Sequence, residues 1–444
     1  MSNNSDLIKQ QVDFLKTDHN YKNDYTLVKS GKTILNLKKE QFYNINHNQV
    51  QNYFITAKNG HAEFPFNGSS GFFIDFDIPR GIQNNIYQFV LRFSLQNKGS
   101  AVTTTRPSPL VIEKVSLLKN SNSLGLDVTD WQIYLYNLDK YYSNKNKEDI
   151  YANLNMAEAT GGMRTLAAII LSNVNNNSES IHYNNIELPI SLNRSEFPLF
   201  LIKDNLTLRV YFKPNIVYET VKNSDIKLAD VGLVLRCHDL NSNELNKIVK
   251  QPKFSHLFNK VVHLKYSLPK ITLGVQLSIP LAGFRNVCGG MLLFFQNAEN
   301  DISIETNVVQ YHFLTDRFDQ VYINDPTGRN IMNNQKQDWK WNQYLMSNHF
   351  GKSNDFMNAL CYNTLLAADY NKNIGQLYYI GFSQDGTDSF NGVYSGGYSF
   401  QGTGDHVLNF TPSTSNPFNC VLNVLAFVPA VLELNNGELV ETLG

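Results

Sequence analysis

Only a few residues in this sequence have types and spacings that could support chemistry. Asp75 and Asp77 stand two residues apart, and paired carboxylates suit a divalent cation. Apolar side chains alternate with them along residues 72–78, so we predict instead a strand that holds both carboxylates on its solvent face. Trp131 and Trp339 could be stacking platforms for sugars. We favour a structural role, in which the two tryptophans anchor equivalent helices against equivalent sandwiches.

The motifs of common enzyme classes are missing or incomplete. Residues 397–401 approach the GxSxG nucleophile elbow but lack its last glycine, and residues 402–404 lack the third glycine of a dinucleotide-binding fingerprint. The ten histidines form no HExxH or HxH pair of metal ligands. Residues 392–404 resemble a binding loop in their Gly, Ser and Tyr content, although an ordinary exposed loop is favoured. We predict that the chain is not an enzyme and assign it no catalytic, cofactor-binding or metal-binding residue.

The strongest pattern in the sequence is a repeat between its two halves. Each half has a segment that ends at a proline, followed by a long apolar segment that ends in Gln-Asn. These segments are 71–79 and 87–97 in the first half, and 274–280 and 290–297 in the second. An Asp-Trp pair then follows in each half. Corresponding positions lie 200 to 208 residues apart, which favours a duplicated β unit over one large irregular domain.

Composition restricts the class of protein further. Basic and acidic residues number 38 and 39, and the formal net charge of −1 argues against genome packaging or direct sequence-specific binding of nucleic acid. Only 17% of the 444 residues are charged and 12% are aromatic, a composition typical of strands and polar loops. The four cysteines are far apart and no signal peptide is recognised, so we expect folding in a reducing host compartment without disulfides. No apolar run approaches the roughly 18 residues of a membrane span.

Hydrophobic periodicity predicts an all-β chain with four parts. Residues 1–49 are expected to form a polar N-terminal arm with a short amphipathic helix at 6–15. A sandwich of two antiparallel sheets is predicted at 50–240, a polar linker at 241–255, and a second sandwich at 256–444.

Local patterns predict further elements. Short helical insertions are expected at 131–142 and at 156–171, although the second could equally be a loop. Two strands, 420–428 and 430–434, are predicted near the end of the chain. Asn436-Gly437 after them is a typical two-residue hairpin turn.

Particular segments add a resemblance to a known family. The proline-containing apolar segment 197–201 followed by 205–213 resembles a late strand of a first jelly roll, and 423–427 followed by 432–437 resembles the final strands of a second. With the repeat, the chain resembles the double jelly-roll major capsid proteins of tailless icosahedral double-stranded DNA viruses, the adenovirus hexon-like lineage. That resemblance implies two consecutive eight-stranded antiparallel jelly-roll sandwiches with short helical insertions and an N-terminal arm.

The same resemblance implies a function and partners. Such a chain forms a homotrimer, a pseudo-hexagonal block that contacts neighbouring capsomers in a virion shell. Minor capsid proteins, and an internal membrane reached through the N-terminal arm, are further implied partners, although this arm lacks the transmembrane anchor of some members. Two alternatives stay open: a carbohydrate-binding or carbohydrate-cleaving β-sandwich protein, and a minor jelly-roll virion protein such as a spike or vertex protein.

Overall fold

The predicted all-β class is confirmed in a computed structural model of the chain, in which strands dominate and helices are few. The structure describes residues 28–29, 32–33, 50–58, 63–65, 72–80, 84–97, 111–124, 126–133, 136, 180–192, 197–213, 226–240, 242–250, 253–297, 318–332, 338, 341–342, 377–383, 395–413, 415 and 419–443.

The first half of the chain contributes twelve strands within these residues. They are β1 (Val28–Lys29), β2 (Lys32–Thr33), β3 (Val50–Thr56), β4 (Glu63–Pro65), β5 (Phe72–Asp77), β6 (Asn84–Asn97), β7 (Ile112–Lys119), β8 (Asn122–Ser123), β9 (Val128–Thr129), β10 (Ser180–Glu187), β11 (Leu206–Phe212) and β12 (Ile226–Asp239).

The second half contributes ten strands to the described part of the chain. They are β13 (Lys253–Leu268), β14 (Leu277–Pro280), β15 (Val287–Cys288), β16 (Gly290–Asn297), β17 (Phe318–Asn324), β18 (Leu377–Gly381), β19 (Tyr398–Ser399), β20 (Val407–Pro412), β21 (Cys420–Asn435) and β22 (Glu438–Leu443).

The two halves repeat one sheet topology strand for strand. One sheet has the order β10-β6-β12-β3 in the first half and β18-β16-β21-β13 in the second. The facing sheet has the order β5-β11-β7 in the first half, extended by β8 and β9 along the edge of β7, and β14-β20-β17 in the second. Equivalent strands also follow each other in the same sequence order. The repeat predicted from 71–97 and 274–297 therefore corresponds to two jelly rolls, which we call the first roll and the second roll.

Alternating side chains explain why these segments form sandwich strands. In β11 the residues Leu206, Leu208, Val210 and Phe212 are at most 3% exposed, and the residues between them are half-buried. A strand with one dry face packs against a second sheet and keeps its other face toward solvent. Two separate apolar clusters result, one inside each roll.

Helices play a minor part. Helix α1, Ser242–Val249, lies in the predicted linker, and its Ile248 is buried in the apolar cluster of the first roll. A 3-10 turn occupies Leu199–Leu201. Within the predicted helix 131–142, residues 131–133 and 136 are helical and the others are not described. The predicted helices at 6–15 and 156–171 also fall outside the described residues.

The end of the second roll differs from the prediction of two strands separated by Pro429. Strand β21 is continuous over 16 residues, from Cys420 to Asn435. On one side β21 pairs with β13 along its whole length; on the other, β16 ends opposite Phe427 and β22 begins opposite Ala430. Pro429 therefore lies where one neighbouring strand has ended and the next has not begun, so its missing N–H leaves no ladder bond unmade.

The predicted turn at Asn436-Gly437 is confirmed. Asn435 pairs with Glu438, and the two residues between them have φ values of 51° and 90°. Two consecutive positive φ angles define the type I′ turn that suits the twist of a hairpin. This hairpin, β21–β22, reaches out of the second roll to the first, since Leu432, Leu434 and Leu439 belong to the first roll's apolar cluster.

The Gly437→Ala variant is expected to be destabilised beyond the usual cost of a left-handed residue. A Cβ at this position would lie 2.7 Å from the carbonyl oxygen of Leu201. Gly328→Ala is the matched control, because Gly328 has φ 87° but open space around it. Denaturant unfolding should show a loss of about 1 kcal/mol for the control and about 1 to 3 kcal/mol more for Gly437→Ala. Equal losses would mean that the hairpin tip is not packed on the first roll.

Candidate functional site at the junction of the two rolls

The carboxylates that could have formed a metal site are engaged by cations. Asp75 accepts two hydrogen bonds from Arg209, at 2.7 and 2.8 Å. Asp77 accepts one from Thr207 at 2.8 Å and forms an ion pair with Lys58 at 3.0 Å. Both carboxylates follow the polar face of β5, as predicted. Among the described residues, no group of three or more His, Cys, Asp or Glu side chains is placed to hold a metal ion.

The glycine-rich stretch near residue 400 is more firmly packed than a simple exposed loop. Phe400 is fully buried, and its ring contacts those of Phe284 and Phe382. The hydroxyl of Tyr398 lies 3.2 Å from Nε2 of His406. Of the region that resembles a binding loop, residues 392–394 are not described; the rest is held to the second roll by these rings.

The clearest concentration of specific interactions lies between the two rolls. Strands β13 and β21 pair over 16 residues and run through both apolar clusters. At one end of this ladder, Phe254 and Leu432 are buried in the first roll; at the other, Val424 is buried in the second. One hydrogen-bonded ribbon therefore belongs to both rolls.

The C-terminal hairpin is bound to the first roll by backbone and charged groups. The amide of Lys203 donates to the carbonyl of Gly437 at 2.8 Å, and the amide of Leu439 donates to Asp204 at 3.1 Å. Lys119 donates to the carbonyl of Leu439 at 3.1 Å and lies 3.4 Å from Asp204. Because Asp204 is only 8% exposed, these donors compensate a carboxylate that has lost most of its water.

Trp131 contacts the second roll. Its ring centroid is 4.6 Å from that of Phe294, and the two side chains are 2% and 0% exposed. The prediction was that this tryptophan anchors a helix against a sandwich, and the sandwich that it contacts is the second one, since Phe294 lies on β16. Burial at this contact leaves Trp131 unavailable as a sugar platform. Trp339 lies outside the described residues.

His263 bridges the rolls beside this contact. Its Nε2 is 2.9 Å from the amide oxygen of Asn423, and its Nδ1 is 3.0 Å from the hydroxyl of Thr129. An amide oxygen can only accept, so Nε2 carries the proton and Nδ1 accepts from the threonine. Burial lowers the pKa of His263, against the opposing effect of the Asn423 hydrogen bond. A neutral imidazole therefore satisfies both neighbours.

Next to Thr129, an ion pair is buried at the same junction. The ammonium of Lys213 lies 2.7 Å from Asp130, and their side chains are 12% and 10% exposed. Burial, the largest single effect, raises the pKa of Asp130, but the charge and hydrogen bond of Lys213, together with the charge of Lys265, hold the pKa of this carboxyl below its usual value. The other carboxylate oxygen accepts from the amide of Trp131 at 2.9 Å, so the pair also orients the start of the helix.

A second histidine on β13 is also held neutral. The ring of His256 stacks on Phe258 and meets Phe197 of the first roll edge-on. Burial lowers the pKa of His256 from its ordinary 6.5 to about 4. A proton added here would be poorly solvated.

Removing one partner of the buried ion pair should be costly. Asp130→Asn leaves Lys213 without a counter-charge, for an expected loss of about 3 to 5 kcal/mol in the free energy of unfolding. Asp127→Asn is the control, since Asp127 pairs with Lys114 at 3.4 Å in a half-exposed position, where the loss should stay below about 1 kcal/mol. Similar losses for both variants would show that the junction pair is solvated.

The charge state of His256 should make stability depend on pH. Since its pKa is lowered on folding, the folded state binds fewer protons, and stability should fall as pH decreases from 6.5 to about 4. The effect should reach at most about 3 kcal/mol. The variant His256→Phe should lose this part of the dependence, whereas Phe258→Leu should keep it. Parallel curves for the native protein and His256→Phe, measured by denaturant unfolding, would refute the assignment.

The chain resembles known proteins in its fold and not in its sequence. No family model and no curated protein sequence matches the chain. A chain of the PBCV-1 virus capsid matches it with a TM-score of 0.62 at 13% sequence identity, over 89% of this chain and 96% of that one. The Faustovirus major capsid protein matches with a TM-score of 0.52 at 9% identity, over 96% and 94%.

The mavirus major capsid protein gives a similar result. Its TM-score is 0.51 at 10% sequence identity, over 94% of this chain and 97% of that one. All three matches extend over both rolls. The chain therefore has the fold of the double jelly-roll major capsid proteins, as the resemblance in its sequence implied.

Proposed function

We propose that this chain is the major capsid protein of an icosahedral virus, and that it forms homotrimers that tile the virion shell. The observation that carries the proposal is the duplication: two rolls of the same strand order, joined by one shared pair of strands, in a fold that known major capsid proteins share along nearly their whole length. Three such chains would present six similar rolls around one axis and form a pseudo-hexagonal block.

The interactions at the junction of the two rolls support a role as a subunit of an assembled shell. A shell subunit must keep a constant angle between its rolls, because each contact with neighbouring copies depends on it. The shared β13–β21 ribbon and the bridge that His263 makes between Thr129 and Asn423 oppose hinge motion between the rolls. Mobile domains are usually connected instead by a flexible linker with few contacts.

The chemistry of the described residues supports a protein without catalytic activity. Asp75 and Asp77 are ion-paired, and Trp131 is buried between the rolls. The near-neutral charge suits contacts between copies of one chain more than contacts with a genome.

We also propose the finer details that the family resemblance implies. The two rolls would extend over 50–240 and 256–444, and the N-terminal residues 1–49 would face the inside of the shell, near minor capsid proteins or an internal membrane. In the described part of the chain, no helix combines the length and the apolar character of a membrane span.

Purified protein should behave as a stable trimer in sedimentation velocity and native mass spectrometry at micromolar concentration. In purified virus particles it should be the most abundant protein, with a copy number that accounts for the whole shell. A monomer at these concentrations would overturn the proposal. A trimer of low copy number would instead identify a spike or vertex protein.

A further inference from the structure

We propose that Trp341 of one copy packs against the first roll of the next copy, on a patch formed by Phe54, Val90, Arg92 and Val234. We call these four residues the first-roll patch. The inference rests on the proposed function, because it requires that copies of this chain associate. It adds to that function the two surfaces that meet.

The contact inside one chain provides the template. Trp131, in the first turn of a helix of the first roll, covers Phe294 on the outer face of the β18-β16-β21-β13 sheet. Other apolar side chains on that outer face are buried as well: Leu292, Leu425 and Phe427 are 0%, 2% and 8% exposed. None of these residues belongs to the apolar cluster inside the second roll. Because these side chains are buried but lie outside that cluster, the outer face of the sheet must be covered by other residues.

The equivalent sheet of the first roll is open on part of the same face, although Gln88, Ser94 and Glu187 on that face are buried. Phe54 of β3 is 69% exposed and stands in one row with Val234 of β12 and Val90 of β6. Arg92 follows on the same face of β6 and is exposed. The neighbouring Tyr53 and Ile55 point the other way, into the first roll. Around Phe54 and Arg92, a face that is covered in the second roll is thus exposed in the first.

The helix that should cover this face also has an equivalent. In the first roll the helix starts at Thr129, whose amide donates to the side-chain oxygen of Gln132, one of the two bonds of a capping box. In the second roll Asp338 caps the helix start by accepting from the amide of Trp341 at 2.6 Å. In the sequence repeat Trp339 corresponds to Trp131, and Trp341 stands two residues further along the chain.

The second helix is also fixed to its own roll. The amide oxygen of the buried Asn342 accepts from the amide of Tyr379 on β18, which holds this turn against the second roll. Trp341 beside it is 48% exposed. A tryptophan is therefore presented at the surface from a turn of fixed position.

Duplication makes the two open surfaces complementary. Within one chain, the helix of the first roll packs on the sheet of the second roll. The corresponding contact between the helix of a second roll and the sheet of a first roll requires another copy. Repeating one head-to-tail contact between like units closes a ring when the rotation between units divides a full turn, as the proposed trimer of two-roll chains requires. The side-chain types also favour this contact, because an indole packs favourably on an aromatic ring such as that of Phe54 and under a guanidinium such as that of Arg92.

The test compares trimer stability among single variants of the full chain. Trp341→Ala and Phe54→Ser should each weaken trimer formation at least about tenfold in sedimentation velocity, as central aromatic residues of interfaces do. Leu273→Ser is the matched control, since Leu273 is 59% exposed but lies outside both surfaces. Its trimer should match the native one. Thermal unfolding of the monomeric fraction should confirm that each variant folds.

A crosslink gives a second measurement. The double variant Trp341→Cys/Arg92→Cys should form disulfides between different chains under mild oxidation, whereas Leu273→Cys/Arg92→Cys should not. A native trimer that survives Trp341→Ala and Phe54→Ser unchanged, and that gives no such crosslink, would overturn this inference while leaving the capsid function intact. A native protein that stays monomeric would overturn both.

Discussion

Continuity of the β13–β21 ladder is the constraint on which the rest of this structure depends. Two separate apolar clusters could belong to two loosely connected domains, but here one pair of strands lies in both. Rotating one roll against the other would break backbone hydrogen bonds within a single ladder, and buried backbone groups left unpaired are costly. The angle between the rolls is therefore set by strand pairing as well as by side-chain packing.

Side chains around that ladder restrict the junction further. His263, Asp130 and Lys213 are polar groups at a contact that apolar residues could have filled, and each has a partner of matching chemistry. Such groups add little net stability, because desolvation cancels much of what they gain. His263 does penalise any other arrangement, since a shifted roll would leave its buried ring nitrogen without Thr129. We infer that this contact defines the register of the two rolls more than the strength of their association.

Much of this fold could be predicted from the sequence because its strands carry their own pattern. The alternation in Leu206–Phe212 and the Asn436-Gly437 turn are local signals, and the repeat relates one half to the other. The junction has no local signal: Thr129 and Asn423 lie 134 and 160 residues from His263. The role of Pro429 was missed for a related reason, since it depends on where two neighbouring strands end. Trp131 was recognised as structural, but its partner could be named only in three dimensions.

The return of the C-terminal hairpin to the first roll has a consequence for biosynthesis. Leu432, Leu434 and Leu439 complete an apolar cluster whose other members are mostly translated far earlier. While the ribosome is still reading the second half, the first roll lacks these side chains and exposes the surface that they will cover. Until the hairpin has been translated, this exposed apolar surface would make the nascent chain prone to aggregation. A chain that stops before the hairpin would lack a complete core in its first roll, even though all other strands of that roll are present.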